Sequence, residues 1–311
     1  MIMRSFTKIL LLIVVSVSLF HNAANAETVV MTDAEGNRML RMPSVPSSLT
    51  SPEARASYIA ERFWDSMDFA DSVCMADKAF MEQQFANFAF MLSLSGDSVR
   101  TVAVDRCLDK AVAASKDAYA AMLEMADDYL GKPWSPAYDD ELYLPFVAYA
   151  AGRDDDYAIV AKSRRNDLMK NRVGESPADF TFTDRAGKET ALSELCGNGV
   201  PTLLLLYEPT CEDCHELVRL LATNSQISRK VSDGKLRIVA VYAGDDMAQW
   251  RPDAAAFHPQ WTVGYDSSRR IEEEELYFIP FTPSTYVIDR DGKIAAKNLP
   301  SEKLIEMLET L

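Results

Sequence analysis

The stretch Val200-Pro-Thr-Leu-Leu-Leu-Leu-Tyr207-Glu208-Pro209-Thr210-Cys211-Glu212-Asp213-Cys214-His215-Glu216-Leu217 decides how this chain folds. Its first half is a continuous apolar run of strand length, the pattern of a strand buried on both faces. A C-x-x-C follows at once, at the junction of that strand and a helix. The spacing places Cys211 at the helix N-terminus, where unsatisfied backbone N–H groups and the helix dipole favour a thiolate. Cys214 then sits one turn later, able to attack a mixed disulfide on Cys211. That arrangement is a two-electron thiol–disulfide exchanger.

Working outward, everything after Arg172 alternates strand and helix, which predicts an α/β unit. Phe180-Thr-Phe182-Thr reads as a strand ending in the turn Asp184-Arg-Ala-Gly187. Leu236 to Tyr242 reads as a second buried strand, and Thr262 to Tyr265 as a further extended piece. Thr285 to Ile288 with Asp289-Arg-Asp-Gly292-Lys-Ile294-Ala predicts a hairpin closed at Asp291-Gly292, and Ser301 to Leu311 a final helix. The expectation is a central sheet of four or five strands flanked by helices.

From Ser51 to about Asn171 the periodicity is helical instead. Ser51-Pro52-Glu53 supplies an N-cap, a first-position proline and a first-turn acid. Met81, Phe85, Phe88 and Leu92 recur at i, i+4, i+7 and i+11, the apolar stripe of a buried helix face. Phe80, Phe90 and Met91 are read with them as core. Asp97 or Ser98 caps a third helix, the Ala-rich run from Ala111 to Leu130 stops at Gly131-Lys-Pro133, and helices follow at Leu142 to Ala151 and Asp155 to Asn171. Four to six helices packed as a bundle are expected. Residues 27 to 50, with Asp33-Ala-Glu-Gly36 and two prolines, read as a linker with one hairpin.

Of 311 residues, 48% are hydrophobic and 25% charged, so a disordered polyelectrolyte is excluded. The 47 Asp and Glu against 32 Lys and Arg leave a net charge of −15, which disfavours nucleic acid and anionic lipid as partners. Met1 to Ala26 has a basic start at Arg4 and Lys8, an apolar run from Ile9 to Phe20, and small residues at Ala24 and Ala26. This is the pattern of a secretory signal cleaved after Ala26. The run covers about 18 Å of a hydrocarbon core about 30 Å thick, so it is not read as a span. The mature chain is expected without a membrane span, exported across the inner membrane to the periplasm, an oxidising compartment. Five cysteines leave at least one thiol unpaired. Cys74 and Cys107 are read as lying at or beyond the ends of different helices, either bridged or as buried thiols, and Cys196 as a half-buried thiol without a mate.

Several ordered motifs carry a family resemblance over residues 172 to 311: Val173-Gly-Glu-Ser-Pro-Ala-Asp-Phe180, Asp184-Arg-Ala-Gly187-Lys, Leu192-Ser-Glu-Leu195, the C-x-x-C, and Thr282-Pro283 leading into Asp289-Arg-Asp-Gly292. Together they resemble the periplasmic thioredoxin-like proteins of the TlpA and ResA type. The resemblance implies an α/β thioredoxin-like domain following an all-α domain, with Cys211 as nucleophile and Cys214 as resolving thiol. It also implies a cis Pro283 against the disulfide, with Thr282 and Thr210 at the substrate edge. Residues 51 to 171, including Tyr138-Asp-Asp-Glu141-Leu-Tyr-Leu-Pro145, look like an uncharacterised helical domain that precedes thioredoxin-like domains in secreted bacterial proteins. No activity attaches to that likeness.

Departures from the family pattern bear on the chemistry. Thr210 replaces the usual tryptophan before the first cysteine. Leu205 and Leu217 stand where family members carry a buried acid, which leaves His215, Glu216 and Glu208 as proton acceptors for Cys214 by proximity alone. Glu212 and Asp213 oppose a thiolate on Cys211 by their charge, and so lean the motif toward a reductant. His215 is a further tuning group.

Other chemistries fit the same residues less well. Cys211-Glu-Asp-Cys214-His215 also spells a c-type haem attachment pattern, but in the middle of an α/β unit. Zinc lacks a second ligand pair, and a peroxiredoxin would need a differently spaced proline and threonine. Glu272 to Glu275 and Asp154 to Asp156 read as solvated faces rather than metal cages. The expected function is disulfide exchange with exported proteins, through a redox-active disulfide and no other cofactor or metal. A reductant would also need a membrane electron donor. The alternative is a noncatalytic binding or stress-response module with a structural C-x-x-C disulfide.

Overall fold

A computed structural model describes residues 30–32 and 38–311. The expected secretory signal and the expected turn at Asp33 to Gly36 lie outside the described residues. Strands β1 (Val30–Thr32) and β2 (Arg38–Leu40) pair antiparallel. Leu40 is buried in the helical core, so the stretch read as a linker also contributes to packing.

The helical part comprises α1 (Pro52–Arg62), α2 (Ser72–Ala76), α3 (Lys78–Ser93), α4 (Asp97–Ala114), α5 (Lys116–Ala126), a π-helical turn (Asp127–Gly131), α6 (Asp140–Ala151) and α7 (Ala158–Leu168). Each boundary has a local cause. Ser51 caps α1 by accepting from the Ala54 N–H. The Ala-rich run expected as one helix is two. Ser115 is fully extended at φ −169° and its hydroxyl accepts from the Ala118 N–H, ending α4 and starting α5 in one residue. Gly96, not Asp97 or Ser98, occupies the N-cap position of α4. Phe80, Met81, Phe85, Phe88 and Leu92 are buried together with Phe146 from α6, whereas Phe90 is exposed. Cys74 lies in short α2 and Cys107 midway along α4 rather than at a helix end; both are buried and unbridged.

The second part is a mixed sheet flanked by helices. Its elements are β3 (Thr181–Asp184), β4 (Glu189–Ala191), β5 (Thr202–Tyr207), α8 (Glu212–Thr223), α9 (Ser225–Ser232), β6 (Arg237–Tyr242), α10 (Met247–Ala256), β7 (Thr262–Tyr265), α11 (Arg270–Glu273), β8 (Ser284–Ile288), β9 (Ile294–Lys297) and α12 (Ser301–Thr310). The sheet has seven strands in the order β4-β3-β7-β6-β5-β8-β9, more than the four or five expected, because short hairpin strands extend both edges. Central β5 runs parallel to β6 and antiparallel to β8, and all six of its residues are buried. Alternation then divides the strand. Leu203, Leu205 and Tyr207 face α8, α9, α10 and α12, while Leu204 and Leu206 face a layer containing Phe180, Phe182 and Tyr277. At both hairpins an aspartate closes the turn. Asp184 Oδ1 accepts from the N–H groups of Ala186 and Lys188, and Asp289 Oδ1 from those of Asp291 and Lys293.

Candidate functional site

The site forms where β5 delivers the chain to α8. Cys211 is the N-cap of α8, and its sulfur accepts from the Cys214 N–H at 3.1 Å. The Cys211 thiol also lies 3.3 Å from the Thr282 carbonyl oxygen, to which it donates. The Thr282–Pro283 peptide bond is cis. Cysteine and cis-proline loop therefore meet although 71 residues separate Cys211 from Thr282. Cys211 is half-buried and Cys214 fully buried. Burial, reinforced by the hydrogen bond with Cys211, pushes the Cys214 thiol up to about 12.

The surrounding side chains separate into wet and dry. Thr210, Glu212 and Asp213 are exposed, and neither acid has an ion-pair partner among the described residues. Glu216 is spent in a surface pair with Arg219, at 2.6 Å and 2.8 Å. Glu208, three residues before Cys211, is half-buried. Burial first, then the charge of Glu272, raises its carboxyl above the usual range. His215 is exposed and its Nε2 lies 2.8 Å from Asp253 Oδ1 on α10. Trp250, Phe257 and Trp261, unplaced by the sequence, pack in the same apolar core as Cys214. Asp253 was not singled out by the sequence, because its proximity to the motif arises only when α10 folds across α8.

The remaining features are peripheral to this chemistry. Glu272 and Glu273 pair with Arg269, Glu274 with Arg270 and Glu275 with Lys170 on an exposed face. Among the described residues no cluster of His, Cys, Asp and Glu could hold a metal ion, and no helix is long and apolar enough to cross a membrane. Cys196 is half-buried and unbridged.

A C-x-x-C at the N-terminus of the helix after a central strand, facing a cis-proline in the loop that leads into the neighbouring strand, defines a thioredoxin-like fold for the C-terminal part. Over 87% of its length this chain superposes, with a TM-score of 0.76 and 25% identity, on 98% of a thioredoxin-like protein from Bacteroides caccae. It is also similar to a conserved protein of unknown function from Bacteroides fragilis, at 29% identity and a TM-score of 0.42, covering 44% of this chain and 98% of that one. A thioredoxin domain of a thiol-disulfide oxidoreductase from Bacteroides vulgatus matches at 18% identity and a TM-score of 0.38, over 44% of this chain and 98% of that one. Residues 19–171 match the model of a family described as a domain of unknown function, DUF5106. No curated protein matches this chain.

Proposed function

We propose that this protein is an exported thiol–disulfide oxidoreductase, working as a reductant of disulfides in periplasmic proteins. The observation that carries the reading is Cys211 at the N-cap of α8, 3.3 Å from the Thr282 carbonyl, with buried Cys214 one turn behind. Cys211 as thiolate attacks one sulfur of a substrate disulfide and expels the other as a thiolate. Cys214 then loses its proton and attacks Cys211 Sγ, closing the protein disulfide and releasing the second substrate sulfur. Substrate gains two electrons and the protein loses two. An extended substrate segment pairs along Thr282-Pro283, past exposed Thr210. No cofactor beyond the cysteine pair is required, and a dithiol donor at the membrane recharges it.

The acidic pair Glu212 and Asp213 supports the reducing direction, since charge that opposes the thiolate withholds from the reduced form the stabilisation that makes a strong oxidant. Reduction of insulin-type disulfides by the dithiol protein, abolished in Cys211→Ser, is the expected result. Cys214→Ser should accumulate mixed disulfides with exported proteins. Inertness of the wild type together with an empty trap would instead favour the noncatalytic binding module. Equilibration with a glutathione buffer tests direction: a potential of about −270 mV fits a reductant, and one of about −120 mV contradicts it.

A further inference from the structure

Resolution by Cys214 requires its proton to leave a dry site, and the exchange reading so far names no acceptor. The sulfur is buried in the core formed by β5, α8 and α10. On that same side three buried polar atoms make no hydrogen bond: Tyr207 Oη, Trp250 Nε1 and Asp253 Oδ2. Such atoms are costly to leave unpaired, and a group of three beside a reactive thiol calls for an account.

Tyr207 lies two positions after Leu205 on β5, and so faces the same core as Cys214. Its phenol is held well above the ordinary value, by burial first and by the Asp253 charge next, with Cys214 and Trp250 also close enough to act on it. The Tyr207 ring packs on Phe257 at the end of α10, with centroids 5.0 Å apart. The Asp253 carboxylate of that helix acts on the phenol by its charge and as a hydrogen-bonding neighbour, although neither Tyr207 Oη nor Asp253 Oδ2 has a partner of full hydrogen-bond geometry. The other oxygen of Asp253 is engaged, at 2.8 Å, by His215 Nε2. The Asp253 side chain is only 12% exposed and that of His215 is 51% exposed, so the pair connects the core with solvent.

We propose that Asp253, held by His215 and acting through the Tyr207 hydroxyl, receives the proton of Cys214 as that thiol resolves the mixed disulfide. The inference rests on the exchange reading. In the step, the Cys214 S–H bond breaks and the Cys214–Cys211 bond forms. The bond from Cys211 to the substrate breaks, and the substrate sulfur leaves with the electron pair. Tyr207 takes the Cys214 proton as it gives its own to Asp253 Oδ2, and that carboxyl holds the proton while the substrate sulfur leaves. The relay is neither oxidised nor reduced. Asp253 touches neither sulfur and is a positioning residue. The titratable groups next to the relay are Cys211 at the N-cap of α8 and Tyr242 on β6, whose ring centroid is 6.5 Å from that of Tyr207, with Glu208 acting on Tyr242 from the loop before α8. Asp245 and Asp246 act on Tyr242 from the following loop.

The test loads Cys211 with thionitrobenzoate from the corresponding aromatic disulfide. The first equivalent of chromophore reports attack by Cys211, and the second reports resolution by Cys214. Both are followed by stopped flow from acid to mildly alkaline pH. In Asp253→Asn the second release should slow by about 10²-fold near neutral pH and recover as the pH rises, with the first release unchanged. Asp253→Glu should restore part of the loss. Should Asn at 253 disturb the core, Tyr207→Phe, which deletes only the hydroxyl, carries the same expectation. A folded Asp253→Asn protein that resolves at the wild-type rate with the wild-type pH profile overturns this inference alone. A wild type that never releases the second equivalent overturns the exchange reading and the relay with it.

Discussion

Among the thiols of this chain, position decides reactivity more than number. Burial raises Cys214 to about 12 and Cys196 to about 11, and it raises fully buried Cys107 further still. Cys211 alone combines partial exposure with a helix N-cap. In the Cys211→Ser, Cys214→Ser double variant, alkylation of the native protein should therefore be slow at all three remaining cysteines and complete only in denaturant. Mass-spectrometric thiol counting reads this, and rapid native labelling of Cys196 would mark it as a third redox group. The same shift gives stability a pH dependence. Unfolded Cys214 ionises near its ordinary value of 9.0 while the folded thiol holds its proton to about 12. The unfolded state thus binds fewer protons across that window. The contribution is whole below pH 9.0 and declines as pH rises toward 12, by about 1.4 kcal/mol per pH unit. Urea midpoints of the reduced protein should fall faster above pH 9.0 than those of the oxidised protein, which lacks this thiol. Parallel alkaline profiles would contradict the assignment.

Single elements are held by contacts of unequal strength, and β3 is the exposed case. The β3–β4 hairpin joins the sheet through β7, with Asp184 opposite Gly264 and Thr183 opposite Tyr265. A Cβ on Gly264 would stand 2.4 Å from Phe182 Cδ2 and 2.8 Å from the Thr183 carbonyl oxygen. The ring can swing but the backbone cannot, so Gly264→Ala should cost about 1–3 kcal/mol and raise amide exchange in β3 before β5. An unchanged urea midpoint would contradict this. The same element scale sets what the sequence discloses. The apolar run ending at Tyr207 declares a buried central strand, and the C-x-x-C after it declares the cap, because both signals are local. Ser115 hides in an alanine-rich run, where its side chain acts only once the backbone has turned extended. Leu40 sits among linker-like residues, and its burial depends on α3 being there to cover it. Asp253 meets His215 across 38 residues, a pairing that no spacing rule encodes.

At the scale of the whole molecule, the helical part and the sheet share a buried polar seam. The side chain of Lys297 on β9 is 3% exposed, with its ammonium 3.5 Å from Asp140 Oδ2, 3.8 Å from Glu141 Oε1 and 3.2 Å from the Leu168 carbonyl oxygen. Arg172, at the passage between the two parts, binds Glu141 at 2.6 Å and Asp97 at 3.2 Å. The Tyr138 hydroxyl donates to Asp140 Oδ1 at 2.5 Å while its ring packs edge-on against Phe281, next to Thr282. The cis-proline loop is thereby braced from the helical part, and a superposition spanning 87% of this chain at a TM-score of 0.76 implies that the Bacteroides caccae protein sets its two parts in a similar orientation. Lys297→Met would keep the volume and leave Asp140 and Glu141 facing each other with the shared cation gone. Breaking one side of a buried ion cluster costs about 3–5 kcal/mol, so calorimetry should show one transition for the wild type and two for Lys297→Met. Glu141 keeps Arg172, so adding Asp140→Asn alone removes the stranded charge and should recover most of the loss. Disulfide reduction should weaken in Lys297→Met although the cysteines are untouched, because the Phe281 to Pro283 segment loses its brace. A Lys297→Met protein within about 0.5 kcal/mol of wild type, as for an ordinary surface change, would show that the seam does not couple the two parts.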